Sequence, residues 1–267
     1  MSRTMLSVRL LALVAALSFS PASIAQTDAP RVLLPTAPMD LNSIILSITR
    51  SMPVGGSYAV TAAANRVLQS AITIAPGGFS IEPQRAQPSY CSGATYLVLA
   101  QAIQHLQKQR SLQLEDATLR ALLVSGQSDG QGVWGRWNAN GPGTARLFHE
   151  LGLGRNFLDY EKARPGDFMK IFWTNEIGKR ERGHSVIYLG SETQEGVELV
   201  RFWSSNQPGG YGEKAVPKTK VALALFSRLE KPAAISRVVT LPPRDSYLAS
   251  MLNTRSSLAE LKTKCGM

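Results

Sequence analysis

The chain has 267 residues, enough for one sizeable core or for one domain with appended segments. Its formal net charge of +10, from 29 Lys and Arg against 19 Asp and Glu, favours an anionic partner such as cell wall, membrane surface or acidic peptide, with simple solubility an equally good account. No internal repeat, arginine-rich helix or finger spacing occurs, which leaves nucleic acid the weaker partner.

Arg3 and Arg9 precede an apolar run over 10–19, and Pro21 then leads to small residues at Ser23 and Ala25. This three-part pattern predicts a secretory signal peptide over 1–25, cleaved after Ala25. The run is shorter than the roughly 20 apolar residues of a membrane span. Residues 26–39, rich in Pro, Ala and Thr, read as a linker. No later segment is apolar and long enough to span a bilayer, so the mature protein is expected to be exported, either periplasmic or secreted.

Apolar Leu41, Ile44, Ile45 and Ile48 recur at three and four, predicting a short amphipathic helix over 40–51. Met52-Pro53-Val54-Gly55-Gly56 breaks it, and helical spacing resumes over 58–75. Pro76-Gly77-Gly78 turns the chain, and 79–88 is expected to be extended. The long helix is predicted over 89–109, with Tyr96, Leu97, Leu99, Ala100, Ile103 and Leu106 forming a broad apolar face. Shorter helices follow over 114–124 and 144–153, separated by a glycine-rich stretch over 125–143 that holds Trp134, Trp137, Asn138 and Asn140. Period two then replaces period 3.6, with strands expected over 168–173, 184–189, 197–204 and 221–229. A terminal helix is expected over 246–264, outside the main sheet. The sum is an α+β chain in which a helix packs on an antiparallel sheet.

The chemistry centres on Tyr90-Cys91-Ser92-Gly93, which opens the long helix. A thiol at a helix start sits against the positive end of the peptide dipoles and near unpaired backbone N–H groups, and both favour the thiolate. Those N–H groups can also receive the oxyanion of a carbonyl under attack. A thiol nucleophile needs a base, and only His105, His149 and His184 supply an imidazole. His105 is roughly 21 Å along the same helix, at about 1.5 Å per residue, and His149 lies in a short helix. His184 opens a strand after a polar loop and is the best base. The orienting group should come from the end of the neighbouring strand, with Asn206 first and Ser204 and Gln207 behind it; the plain alternative is that Asn206 begins an ordinary turn.

Cys265, the second cysteine, sits in the tail; it reads as a stray thiol rather than as the partner of Cys91 in a disulfide. Nothing resembles His-Glu-x-x-His, which disfavours metal-dependent hydrolysis, and no cofactor is expected.

Three segments taken together resemble the NlpC-type cell-wall peptidases. They are Tyr90-Cys91-Ser92-Gly93 at the helix start, the turn and strand from Arg164-Pro165-Gly166-Asp167 to Phe172, and Gly183-His184-Ser185-Val186-Ile187-Tyr188-Leu189-Gly190. The resemblance covers roughly residues 88–207 and implies a papain-like fold, with a catalytic domain over 88–229 between a helical segment over 40–87 and an extension over 230–267. It implies hydrolysis of an amide bond in the peptide part of peptidoglycan, with Cys91 as nucleophile, His184 as base and Asn206 as the polar third residue. Tyr90 stands where the family usually has an acidic residue, and the interval from Cys91 to His184 is long for it. Tyr90, Trp134, Trp137, Arg180 and Arg182 are the candidate substrate contacts. Arg180 and Arg182, with Lys179, are placed to meet the carboxylates of stem peptides, a solvated basic loop being the bland alternative.

Two rival readings remain. One is a different thiol enzyme, a peptidase of proteins or an acyl or glutamyl transferase, although the related lipid acyltransferases tend to place the histidine before the cysteine. The other is a catalytically silent wall-binding envelope protein, which would account for the basic charge without Cys91.

Overall fold

The structure is a computed structural model; it describes residues 40–267 apart from 76, 124–135 and 138–140. The expected signal peptide and linker, and Trp134, Asn138 and Asn140 of the glycine-rich stretch, lie outside the described residues.

Helix α1 (Leu41–Ser51) buries Ile45 and Ile48 on one face, as its spacing predicts. Strand β1 (Gly55–Gly56) follows. The helix expected over 58–75 is shorter than its spacing suggested. Thr61 caps α2 (Ala62–Ser70) by accepting the Ala64 N–H at 3.1 Å, and the chain then leaves helix for a hairpin of β2 (Ile72–Ala75) and β3 (Gly78–Ile81). Ile72, Thr73 and Ile74 are β-branched, which favours a pleated strand over a helix, and Gly77 at φ 78° makes the turn.

Helix α3 (Cys91–Lys108) is the centre of the fold, with Gly93 to Ala100 buried without a break. A helix buried around its whole circumference must be covered on several sides, and α3 meets α1, β3 and the main sheet. Helix α4 (Asp116–Leu122) is tied to it by Tyr96, whose hydroxyl donates to the Leu122 carbonyl at 3.0 Å. Helix α5 (Gly143–Leu151) stops at Gly152, which takes the left-handed conformation at φ 68°.

The rest of the chain builds a seven-stranded antiparallel sheet from β1, β4 (Gly154–Phe157), β5 (Phe168–Phe172), β6 (Gly183–Gln194), β7 (Val197–Asn206), β8 (Gly210–Pro217) and β9 (Leu223–Leu229). The strand order is β1-β8-β7-β6-β5-β9-β4. Alternation sends Phe168, Phe172, Ile187, Trp203 and Leu225 to the face under α3, and Met169, Ile171, Val186, Phe202 and Phe226 to a second apolar cluster on the other face. Strands β4 and β8 were not expected from the sequence: Gly154 reads as a helix stop, and Asn206-Gln207-Pro208-Gly209-Gly210 reads as a turn with no strand after it. Strand β6 runs on past Gly190 instead of ending there, because the register shifts between Tyr188 and Gly190 and the bulge lets pairing with β7 continue.

The Arg164-Pro165-Gly166-Asp167 turn is anchored by a buried ion pair. Asp167 is fully buried and receives Arg228 Nε at 2.8 Å and Nη2 at 2.7 Å on its two oxygens. It also accepts Asn42 Nδ2 from α1 at 2.9 Å and its own turn's Arg164 N–H at 2.8 Å. Hydrogen bonding to Asp167 outweighs burial and holds the Arg228 guanidinium above its ordinary pKa. Gly166 has φ 94°, and a Cβ there would lie 2.6 Å from the Asn42 carbonyl oxygen.

Residues Asp40–Met267 form one compact unit. The single terminal helix expected over 246–264 is two short ones, α6 (Ser246–Ser250) and α7 (Leu258–Lys264), capped by Asp245 and Ser257. Asp245 also receives Arg146 Nη2 at 2.8 Å, and Arg146 and Arg136 both meet Glu150, at 2.7 and 2.6 Å. Among the described residues no helix is long and apolar enough to cross a membrane.

Candidate active site

Cys91 is the first residue of α3, with Tyr90 in extended conformation before it. Its N–H belongs to the first turn, where no intrahelical acceptor exists. Two contacts tie this turn to the sheet: Ser89 Oγ donates to Ser205 Oγ at 2.7 Å, and the Tyr211 hydroxyl donates to the Ala86 carbonyl at 2.8 Å. They hold the sulfur over the start of β6.

His184 is the second residue of β6, and Asn206 ends β7. The Asn206 amide is oriented by Nδ2, which donates to the carbonyls of Gly212 at 2.8 Å and Ser204 at 3.3 Å. Oδ1 therefore faces the imidazole, 3.0 Å from His184 Nε2. An amide oxygen only accepts, so Nε2 carries the proton and Nδ1 is the ring nitrogen left for sulfur. Trp173 stacks on the imidazole at 6.3 Å between ring centres, and Phe202 meets it edge-on at 5.7 Å. Ser204, an alternative third residue, is fully buried and donates to the Ser185 carbonyl at 2.7 Å, so it braces the strand rather than the ring. Gln207, the other alternative, is exposed at the cleft mouth.

Burial by itself would push the Cys91 thiol up. The hydrogen bond and charge of His184, the Ser185 backbone N–H and the charge of Lys170 outweigh it, bringing the thiol from 9.0 down to about 6. Lys170 lies beside Ser185 in the register of β5 and β6 and is held by Glu181, 2.6 Å from its ammonium. Cys265 is the opposite case: it is 1% exposed, and burial pushes its thiol up to about 12. Both cysteines are free thiols. Cys265 is thus a packed core residue, not a stray one, and its carbonyl accepts Asn156 Nδ2 at 2.8 Å.

Tyr58 completes the site and was hidden in the sequence, where it reads as the start of a helix. It sits instead on an extended segment: its N–H donates to the Pro208 carbonyl at 3.0 Å, and the Ala59 N–H donates to the Ser89 carbonyl at 2.9 Å. Its hydroxyl hydrogen-bonds the Cys91 side chain; burial first, and then the adjacent sulfur, push the phenol above its ordinary pKa, so it stays protonated and available as a donor. The only signal for this segment is Gly55-Gly56-Ser57, where three successive residues take positive φ.

Of the five expected substrate contacts, two are buried in the core and two are exposed away from the cleft. Tyr90 is 2% exposed, its hydroxyl meets Asn65 Oδ1 at 3.3 Å, and its ring packs on Gly93 so closely that a Cβ there would come within 3.1 Å. It is a core wedge between α2 and α3, because a ring this size at a helix start is stabilised more by burial than by exposure. Trp137 is also buried, and its Nε1 donates to Glu150 Oε2 at 2.7 Å. Arg180 and Arg182 are exposed on the loop before β6 and do not line the cleft; Lys179 is likewise exposed, with its N–H on the Thr254 carbonyl. The Arg182 carbonyl contributes instead by accepting the Trp173 N–H at 2.9 Å, closing that loop beside the imidazole. Trp134 lies outside the described residues.

A cleft of about 330 Å³ opens beside His184 and is lined by Tyr58, Trp173, Phe202, Asn206 and Lys214 among others. Among the described residues no three His, Cys, Asp or Glu side chains gather to hold a metal ion. The chain matches no protein-family model, no curated protein and no solved structure.

Proposed function

We propose that the protein is an exported cysteine hydrolase of papain-like, NlpC-type fold that cleaves an amide bond in the peptide part of peptidoglycan. The observation that carries this reading is the Asn206–His184–Cys91 relay: an amide oxygen 3.0 Å from Nε2, and an imidazole that draws the Cys91 thiol down to about 6 against the effect of burial. A buried structural histidine would satisfy its ring nitrogens without depressing a neighbouring thiol. The cysteine helix laid on an antiparallel sheet, with histidine and asparagine on adjacent strands, supports the papain-like assignment. The basic charge supports a wall polymer as the partner.

In this mechanism the Cys91 thiolate attacks the amide carbonyl and forms the S–C bond. The oxyanion lies against the Cys91 N–H and the Tyr58 hydroxyl. Collapse breaks the C–N bond as the His184 imidazolium gives its Nδ1 proton to the leaving amine. Water then attacks the thioester while His184 takes its proton, the acid departs, and the imidazolium–thiolate pair is restored. Asn206 keeps the ring in the tautomer that each step needs.

The test is to incubate the protein and its Cys91→Ala variant with purified peptidoglycan and identify the released fragments by mass spectrometry. Amide-cleavage products from the wild type alone are expected; equal products from both proteins, or none from either, overturn the reading. Tyr58→Phe keeps the ring but removes one oxyanion donor, and turnover should fall by about 10²–10³. A kcat within about threefold of wild type would remove Tyr58 from that role.

A further inference from the structure

We infer that Lys214 makes this site select substrates whose leaving-amine fragment carries a free carboxylate. This rests on the thiol-hydrolase reading and adds to it a position and a charge for the substrate.

The position follows from the direction of proton transfer. The nitrogen that leaves takes its proton from His184, so the leaving fragment lies on the imidazole side of the sulfur and the acyl part on the other. The cleft is on the imidazole side. Its walls come from Trp173, from the start of β6, from β7 and from the face of β8, with Tyr58 at the end nearest the sulfur and no residue of α3 among them. It is therefore the chamber of the leaving amine. Its volume of about 330 Å³ is at the small end for ligand clefts and suits a short fragment.

The charge follows from what lines it. Trp173 and Phe202 supply apolar surface on two sides of the imidazole, and no Asp or Glu faces the cleft. Lys214 lies opposite Phe202 in the register of β7 and β8, on the same face. It takes part in none of the ion pairs among the described residues. Glu213, the nearest acid in sequence, points to the other face and meets Arg201 at 3.0 Å, and Glu198 is held by Lys218 at 2.6 Å. A lysine without an acid partner, lining one cleft with Trp173, Phe202 and the base, is complementary to an anion attached to a small apolar body. On a fragment released as an amine, that anion is a carboxylate, at a chain end or on a side chain.

The experiment measures kcat/KM for stem peptides released from peptidoglycan, with the carboxylate of the leaving fragment either free or converted to a carboxamide. The wild type should prefer the free acid by about fivefold, the size an exposed ion pair gives, and Lys214→Met should bring the ratio to about one. Equal rates for acid and amide in the wild type, or a preference that survives in Lys214→Met, overturn the inference. A second readout does not depend on turnover: tryptophan fluorescence of the Cys91→Ala protein titrated with alanyl-alanine, with its carboxamide, and with glutamic acid α-amide. Tighter binding of either acid, lost in the Cys91→Ala, Lys214→Met protein, supports Lys214 as the carboxylate partner and tells a terminal from a side-chain carboxylate; equal binding of all three overturns it. If no peptide is cleaved, the hydrolase reading fails while this titration still decides the role of Lys214.

Discussion

Iodoacetamide added to the native protein at pH 7.5 should consume Cys91 and leave Cys265 untouched until the chain is unfolded. Thiolate is the reacting species, and the two thiols are displaced in opposite directions, to about 6 and to about 12. A lowered thiol pKa means that the thiolate is present above about pH 6 and is lost as the pH falls through that value, so the alkylation rate of Cys91 should rise with a midpoint near 6. Amide hydrolysis should disappear over the same range. His184→Ala removes the largest stabilising contact of the thiolate and leaves burial less opposed, so the midpoint should move to 9.0 or above. The rate responds less than the midpoint does. At pH 6.5 the thiolate fraction drops by about two orders of magnitude, but a more basic thiolate is more nucleophilic, with a slope of about 0.4–0.5 per pKa unit, so the net loss is about tenfold. Peptide mapping after timed alkylation across pH 4–10 reads both quantities. A wild-type midpoint above 8, or equal rates at the two cysteines, would dismiss an activated Cys91.

Asp167→Ala should be the most damaging substitution for stability, at about 3–5 kcal/mol. Asp167 has no exposed surface, Arg228 retains 7% of its side-chain exposure, and truncation leaves the guanidinium buried without its anion. The variant also strips an acceptor from Asn42 and from the Arg164 N–H, loosening the turn that starts β5. For a domain of this size the loss corresponds to a drop of about 10 °C in Tm. Glu213→Ala is the control, because its partner Arg201 is 43% exposed and such pairs contribute about 0–1 kcal/mol. Urea unfolding of the two variants beside wild type makes the comparison; a loss under about 1 kcal/mol for Asp167→Ala would mean that the turn is held by its apolar neighbours instead. The functional consequence is indirect: β5 carries Lys170, whose charge bears on Cys91.

The helix start at Cys91, the strand openings at His184 and Phe168, and the polar end of β7 at Asn206 were all legible in the sequence. Each is signalled locally: a long apolar face following a small polar turn, alternation following a loop, a run of polar residues closing a strand. β8 was not legible, since a strand beginning Gly-Tyr-Gly lacks the bulky alternating residues that announce one, and it forms because β7 offers a long edge on which to pair. Tyr58 and Lys214 were illegible for the same reason. One sits on a segment held in place by backbone bonds to Pro208 and Ser89, the other on the unannounced strand. Tyr90 and Trp137 misled because an aromatic residue near a nucleophile is as consistent with a core as with a cleft, and burial is a property of neighbours.

The sequence by itself determined an α+β chain with a thiol at a helix start and an imidazole at a strand start, because periodicity and capping act over a few residues. Only the tertiary structure decided that these groups meet. It also decided that the amide of Asn206 turns its oxygen to the ring and that Tyr58 stands beside the sulfur. The cation in the cleft is likewise Lys214, and not the arginines of the preceding loop. Those relations depend on strand pairing across long intervals of sequence, and pairing is settled by which register buries the most apolar surface while leaving the fewest polar groups unpaired.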